Sequence, residues 1–147
     1  MDSLRELYQE VILDHNKRPR NFRTLDPCTH RADGHNPLCG DRVTVFVEIA
    51  DDVIKDVAFQ GQGCAISTAS ASLMTTVLKG KTLAEAETLF GQFHDLVTGE
   101  SPPSPAMGKL AVLAGVRDYP SRIKCATLAW HAVRAALHHQ TEPVVAE

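Results

Sequence analysis

Between Arg42 and Ala50 the apolar positions Val43, Val45, Val47 and Ile49 alternate with Thr44, Phe46 and Glu48. A period of two on β-favouring residues predicts a strand with one buried face. Asp51-Asp52 predicts a tight turn, and Val53 to Gln60 the returning strand of a hairpin. The other apolar residues recur at helical spacing. Leu4, Leu7, Tyr8, Val11 and Ile12 follow a capping-box pattern, Ser3-Leu4-Arg5-Glu6, and predict a first helix to about His15. After GQGC, whose glycines permit a sharp backbone change, the small-residue run AISTASASLMTTVL predicts a closely packed helix with Cys64 at its N-terminus. A second capping box, Thr82-Leu83-Ala84-Glu85, opens a helix carried by Leu83, Ala86, Leu89, Phe90, Phe93, Leu96 and Val97 to about Thr98, tolerating Gly91.

GESPPSP stops that helix. A short helix over Met107 to Ala114 is predicted next, then a loop at Pro120 with Ser121 as N-cap. The last helix is predicted from about Arg122 to about His139, which places Cys125 in its first turn. Strands precede most of the helices without alternating with them, so the expected fold is α+β: a small antiparallel β-sheet packed against a layer of helices. Length agrees with one unit, because 147 residues form a single domain with a real core; residues 140–147, TEPVVAE preceded by Gln140, are expected to be a flexible tail.

Composition narrows the function classes. A net charge of -3, 44% hydrophobic and 22% charged residues describe a globular chain, and aromatics at 5% supply few stacking platforms for single-stranded nucleic acid. No apolar run approaches a membrane span, and MDSLRELYQE carries no basic region ahead of an apolar one, so a cytoplasmic protein is expected. The loop NKRPRNFRTLDPC gathers Lys17, Arg18, Arg20 and Arg23; it reads first as a solvated basic loop and second as a docking patch for an acidic partner.

A reducing compartment gives the four cysteines, Cys28, Cys39, Cys64 and Cys125, a meaning other than structural disulfides. Cys39 lies on the glycine-bearing turn NPLCGDR, two residues before Asp41. Cys64 and Cys125 fall at predicted helix starts, where open N–H groups and the helix dipole favour a thiolate. One such cysteine is most simply a small buried hydrophobe. Three at punctuation points, one with an acid beside it, point instead to a Cys3Asp site for a thiophilic metal. The spacing itself is weak, since gaps of 25 and 61 positions match no standard zinc-finger pattern. Cys28, with no turn glycine or acid beside it, reads as a bystander. Of the seven histidines, His35 is the one rival ligand. His15 suits a helix C-terminus, His94 and His131 lie on helices away from the cysteines, and His138 and His139 read as solvated. Zinc is the default metal for mixed thiolate and carboxylate ligands, and an iron–sulfur unit is also chemically acceptable. Three thiolates and a carboxylate on Zn(II) carry a net charge of about -2. Arg42, Arg122 and Lys124 are the nearest cations in sequence to offset it.

Four stretches, LYQEVILDHNKRPRN, NPLCGDRV, FQGQGCAISTASASLM and RIKCATLAW, together resemble the SufU/IscU-type iron–sulfur cluster assembly proteins, the NifU N-terminal-like family. The resemblance covers most of the chain in order. It implies the α+β fold and a metal site of Cys39, Asp41, Cys64 and Cys125. Lys124 stands where the general scaffold branch has a histidine, and LFGQFHDLVTGESPPSPAMG reads as an insertion. Both features resemble the SufU branch, which implies bound zinc and sulfur taken from a pyridoxal-phosphate cysteine desulfurase of the SufS type. The expected function is thus a zinc-dependent sulfur acceptor working with that desulfurase rather than an independent enzyme. Cys39 is the acceptor, because a glycine turn releases a ligand more cheaply than a helix start. Downstream iron–sulfur assembly proteins are the expected recipients, and a monomer or weak dimer the expected state. The alternative is a scaffold for a transient [2Fe–2S] cluster. A hydrolytic zinc enzyme is disfavoured, because four protein ligands close the open position it needs. A purely structural zinc is the plainest alternative.

Overall fold

The structure, a computed structural model, describes residues 3–37, 40–99, 105–139 and 144–145, with side chains from residue 9 onward and without those of 105 and 106. Helix α1 (Ser3–Lys17) leads through the basic loop into β1 (His30–Asn36), β2 (Asp41–Ala50) and β3 (Val53–Gln62). Then follow α2 (Ala65–Leu78), α3 (Leu83–Thr98), a 3₁₀ segment (Pro105–Asp118), α4 (Pro120–Leu137) and the two-residue strand β4 (Val144–Val145). The sheet order is β3-β2-β1-β4, antiparallel except where β4 runs parallel to β1. The α+β fold is as expected, and the strand Val144–Val145 lies inside the stretch read as a flexible tail.

Alternation on β2 decides the layering. Val43, Val45 and Val47 are buried against α4 and α2, together with Ala32, Val57 and Phe59 from the flanking strands. Asp51 and Asp52 both take positive φ, 53° and 59°, the two-residue turn whose twist matches a hairpin. Nine residues of α2 are buried, five of them serine or alanine (Ser67, Ala69, Ser70, Ala71, Ser72). Small side chains let α1 and α4 both approach α2 closely. The serines in this contact are satisfied: Ser70 Oγ donates to the Ala126 carbonyl at 2.5 Å and accepts from Trp130 Nε1 at 3.2 Å. Trp130 in turn stacks on Phe93 with ring centroids 4.3 Å apart, which ties α3 to α4.

Several expectations are corrected. Strand β1 was not foreseen: its inward residues are Ala32, Gly34 and Asn36, so it buries one face without any hydrophobic alternation to announce it. The helix expected over Met107 to Ala114 is present within a longer 3₁₀ segment that is broken at Gly108. Helix α4 starts at Pro120, not near Arg122, and Ser121 is not its cap. A proline at the first helical position loses no hydrogen bond, because that N–H has no partner anyway. Cys125 is therefore the sixth residue of α4, beyond the first turn, where the helix dipole has faded. The Thr82–Glu85 capping box is present as expected, with both reciprocal bonds. The one read at Ser3–Glu6 lies on side chains outside the described residues.

The basic loop is anchored to the protein. Arg20 pairs with Asp14 at 2.6 Å, Arg23 Nη2 reaches both oxygens of Asp56, and Asn21 Nδ2 donates to Thr75 Oγ1. Two of the four basic residues are thus engaged within the chain, which favours the solvated-loop reading over an acidic docking patch.

His15 lies in the last turn of α1 but is buried, not solvated beside the helix end. Its Nδ1 is 2.7 Å from Ser72 Oγ, which also accepts the Arg20 N–H at 2.8 Å. Burial favours the neutral imidazole over its charged form. Burial first, then the charge of Arg20, hold its pKa below the ordinary 6.5, against the opposing pull of Asp14. A lowered histidine pKa means that the unfolded chain binds the proton more readily, so this stabilisation is complete above about pH 6.5 and is lost on acidification below it. The thermal midpoint should fall between pH 7 and pH 5, and His15→Leu should flatten that slope; an unchanged slope would contradict the buried neutral imidazole.

Candidate metal centre

The carboxylate of Asp41 and the sulfurs of Cys64 and Cys125 lie within 4.8 Å of one another. Each comes from a different element. Asp41 is the first residue of β2, Cys64 is the N-cap of α2, and Cys125 is on the buried face of α4. Cys39 falls outside the described residues, so the expected four-ligand set is seen in three of its members. Asp41 and Cys125 are at most 1% exposed and Cys64 is half-buried. Atoms that share a tetrahedral zinc at ordinary bond lengths sit about 3.5–3.8 Å apart. The three donors therefore need to close by about an ångström at most, and their chemistry fits the metal.

Local structure explains the convergence. Gly40, with φ of 74°, donates its N–H to the Asn36 carbonyl at 2.8 Å and turns the chain into β2. Gly63 supplies the close approach, for a Cβ there would stand 2.5 Å from Asp41 Oδ1. With no side chain in the way, the Cys64 N–H reaches Asp41 Oδ1 at 2.9 Å. Cys64 Sγ accepts the Ser67 N–H at 3.4 Å as the N-cap of α2. Cys125 lies beyond the first turn of α4, and its sulfur meets Asn36 Nδ2 at 3.7 Å and the Ser121 carbonyl at 3.6 Å. That same nitrogen lies 3.4 Å from Asp41 Oδ2. Asn36 was not singled out from the sequence, although it opens NPLCGDR. Its role depends on β1, where it pairs across the ladder with Asp41.

The remaining candidates divide. Arg42 follows Asp41 on β2 and so points to the opposite, exposed face, where it shares a groove with Arg31, Asp33 and His35. That removes both Arg42 as a neutralising neighbour and His35 as a rival ligand. Arg122 lines a cleft of about 900 Å³ beside Cys64, with Ile12, Ile66, Val116 and Tyr119. Lys124 is half-buried next to Cys125 in sequence. Cys28 is half-buried in a separate shallow groove with Phe46 and Gln60, away from the cluster. His94 and His131 border a groove between α3 and α4, and His138 sits 3.3 Å from Glu87. No helix among the described residues is long and apolar enough to cross a membrane.

Residues 7–126 match the family model described as NifU-like N terminal domain. The chain belongs to that family. Among its relatives, the "Iron-sulfur cluster assembly scaffold protein IscU" of Streptococcus pyogenes is 43% identical over 93% of this chain and 86% of that protein. The "Zinc-dependent sulfurtransferase SufU" of Bacillus subtilis is 42% identical over 89% of each chain. The crystal structure of a nitrogen-fixing NifU-like protein (N-terminal) from Brucella abortus superposes with a TM-score of 0.84 at 25% identity, covering 95% of this chain and 97% of the other. In this NifU-like domain Phe90, Phe93, Leu96 and Met107, from the stretch LFGQFHDLVTGESPPSPAMG, are all core residues.

Gly63→Ala should cost about 1–3 kcal/mol, the usual range for forcing a methyl into a packed site, and should weaken metal binding at Asp41, Cys64 and Cys125. Gly91→Ala is the control: nothing lies within 4 Å of a Cβ there, and a helical alanine gains about 1 kcal/mol over glycine. Chemical denaturation and metal analysis of both variants test the pair; a Gly63→Ala protein with full stability and full zinc would contradict the close approach.

Proposed function

We propose that the protein is a zinc-dependent sulfur acceptor in iron–sulfur cluster assembly, taking persulfide sulfur from a pyridoxal-phosphate cysteine desulfurase of the SufS type. The observation that carries this reading is the convergence of Asp41, Cys64 and Cys125 from three elements on one metal-sized space. Cys39, two residues before Asp41 in sequence, is the proposed fourth ligand and the sulfur acceptor. Zinc bound there lowers the pKa of the thiols it touches and holds them as thiolates.

The transfer itself is thiol–disulfide chemistry. The Cys39 thiolate attacks the outer sulfur of the desulfurase persulfide; a new sulfur–sulfur bond forms on Cys39, the old one breaks, and the desulfurase cysteine leaves as a thiolate. No external oxidant or reductant is consumed. Asp41 and Cys125, both buried, keep the site's geometry while the exchange proceeds, and the half-buried Cys64 borders the cleft. That cleft, walled by Ile12, Ile66 and Val116, with Tyr119 58% exposed at its edge, offers a partner's loop a route toward the site. Downstream assembly proteins are the proposed recipients of the sulfur.

The scaffold reading, in which iron and sulfide assemble on the same ligands as a [2Fe–2S] cargo, is favoured by the name of the Streptococcus relative. Anaerobic reconstitution separates the two: a stable, transferable visible chromophore supports the scaffold, and stoichiometric zinc that iron does not displace supports the acceptor. For the acceptor itself, the protein is incubated with its desulfurase and cysteine, and persulfides are mapped by mass spectrometry. The added sulfur is expected on Cys39 and is expected to vanish in Cys39→Ser; full sulfur loading of that variant would overturn the assignment.

A further inference from the structure

Asn36 belongs to neither the thiol set nor the acid set, yet its side chain touches both. It ends β1, is fully buried, and faces Asp41 across the ladder. Its Nδ2 stands 3.4 Å from Asp41 Oδ2 and 3.7 Å from Cys125 Sγ, and a primary amide nitrogen has a proton for each. The two ends of an amide look alike in shape, so its orientation has to be argued from its partners. Reversed, the amide would set its oxygen against the Asp41 carboxylate in a buried space; as it stands, the nitrogen donates to that carboxylate and to the Cys125 sulfur, whose own proton is directed at the Ser121 carbonyl 3.6 Å away. The other carboxylate oxygen, Oδ1, already accepts the Cys64 N–H at 2.9 Å. Each oxygen of Asp41 thus has one fixed donor and retains a lone pair for a metal.

We infer that Asn36 is a positioning residue of the metal centre: its amide holds the Asp41 carboxylate and the Cys125 sulfur as one unit on the metal. The inference rests on the reading of Asp41, Cys64 and Cys125 as metal ligands. Proton donors to anionic ligands strengthen with the charge they meet, and in a dry site their loss leaves the acceptors uncompensated. Residues that hold ligands from behind in this way are worth about 10–100-fold in metal affinity. The same bond has a chemical consequence. A thiolate that accepts a hydrogen bond gives up part of its nucleophilicity, so Asn36 withholds Cys125 from persulfide exchange and leaves that reaction to another cysteine.

The test compares Asn36→Leu and Asn36→Ala with the wild-type protein by zinc chelator competition and by the absorption spectrum of the cobalt(II)-loaded protein. Leucine nearly matches asparagine in size but donates nothing. Both variants are expected to lose zinc about 10–100-fold more readily, with a shifted sulfur-to-cobalt charge-transfer band. If Asn36→Leu regains wild-type affinity and only Asn36→Ala is weak, the residue merely fills space and the inference is overturned. Should neither variant fold, NMR of the wild-type protein decides: the Asn36 side-chain amide protons are expected to shift on zinc loading and to exchange slowly, and protons unmoved by zinc would overturn it. A wild-type protein that takes up no zinc would instead sink the metal reading itself, so the two failures are distinguishable.

Discussion

A carboxylate with no exposed surface is expensive to bury, and the structure around Asp41 depends on how that cost is met. The Cys64 N–H holds one of its oxygens and the Asn36 amide approaches the other. Those two contacts join the start of β2 to the start of α2 and to the end of β1. Cys125, reached by the same amide, adds α4. The candidate metal centre and the junction of four elements are therefore one structure. Gly63 is part of it, because any side chain at that position would occupy the space of the Asp41 carboxylate.

The core beneath is arranged to let these elements converge. Serine and alanine along α2 bring α1 and α4 in on either side, with Ser70 and Ser72 satisfied by Ala126, Trp130, Arg20 and His15. Larger side chains there would push α4, and Cys125 with it, away from β1. Packing thus reaches the chemistry through backbone position. Chemistry of the opposite kind is found on the outer face of the sheet. Arg31 lies over the Phe46 ring at 5.3 Å and Thr44 donates to Asp33, polar and cation–π contacts in a groove that Cys28 also lines.

Where the sequence spoke through periodicity or caps, the structure follows it: the β2–β3 hairpin, the small-residue helix α2 and the capped α3 were all legible. Asp41, Cys64 and Cys125 were also legible, by residue type at turns and helix starts, although the helix-start reason holds for Cys64 and not for Cys125. What stayed hidden was hidden for physical causes. β1 buries alanine, glycine and asparagine, so no hydrophobic pattern marks it, and without β1 nothing connects Asn36 to Asp41. Pro120 reads as a breaker when taken alone, yet at the first position of α4 it is a starter. Arg42 looked like a neutralising neighbour by sequence distance, but adjacent residues on a strand face opposite ways.

The central claim is that Asp41, Cys64 and Cys125 share one metal with Cys39. Zinc-edge X-ray absorption on protein purified without added iron measures that ligand set directly. The account predicts one zinc per chain, with three sulfur neighbours at about 2.3 Å and one oxygen or nitrogen at about 2.0–2.2 Å. Absence of zinc, or a first shell with at most one sulfur, would contradict it.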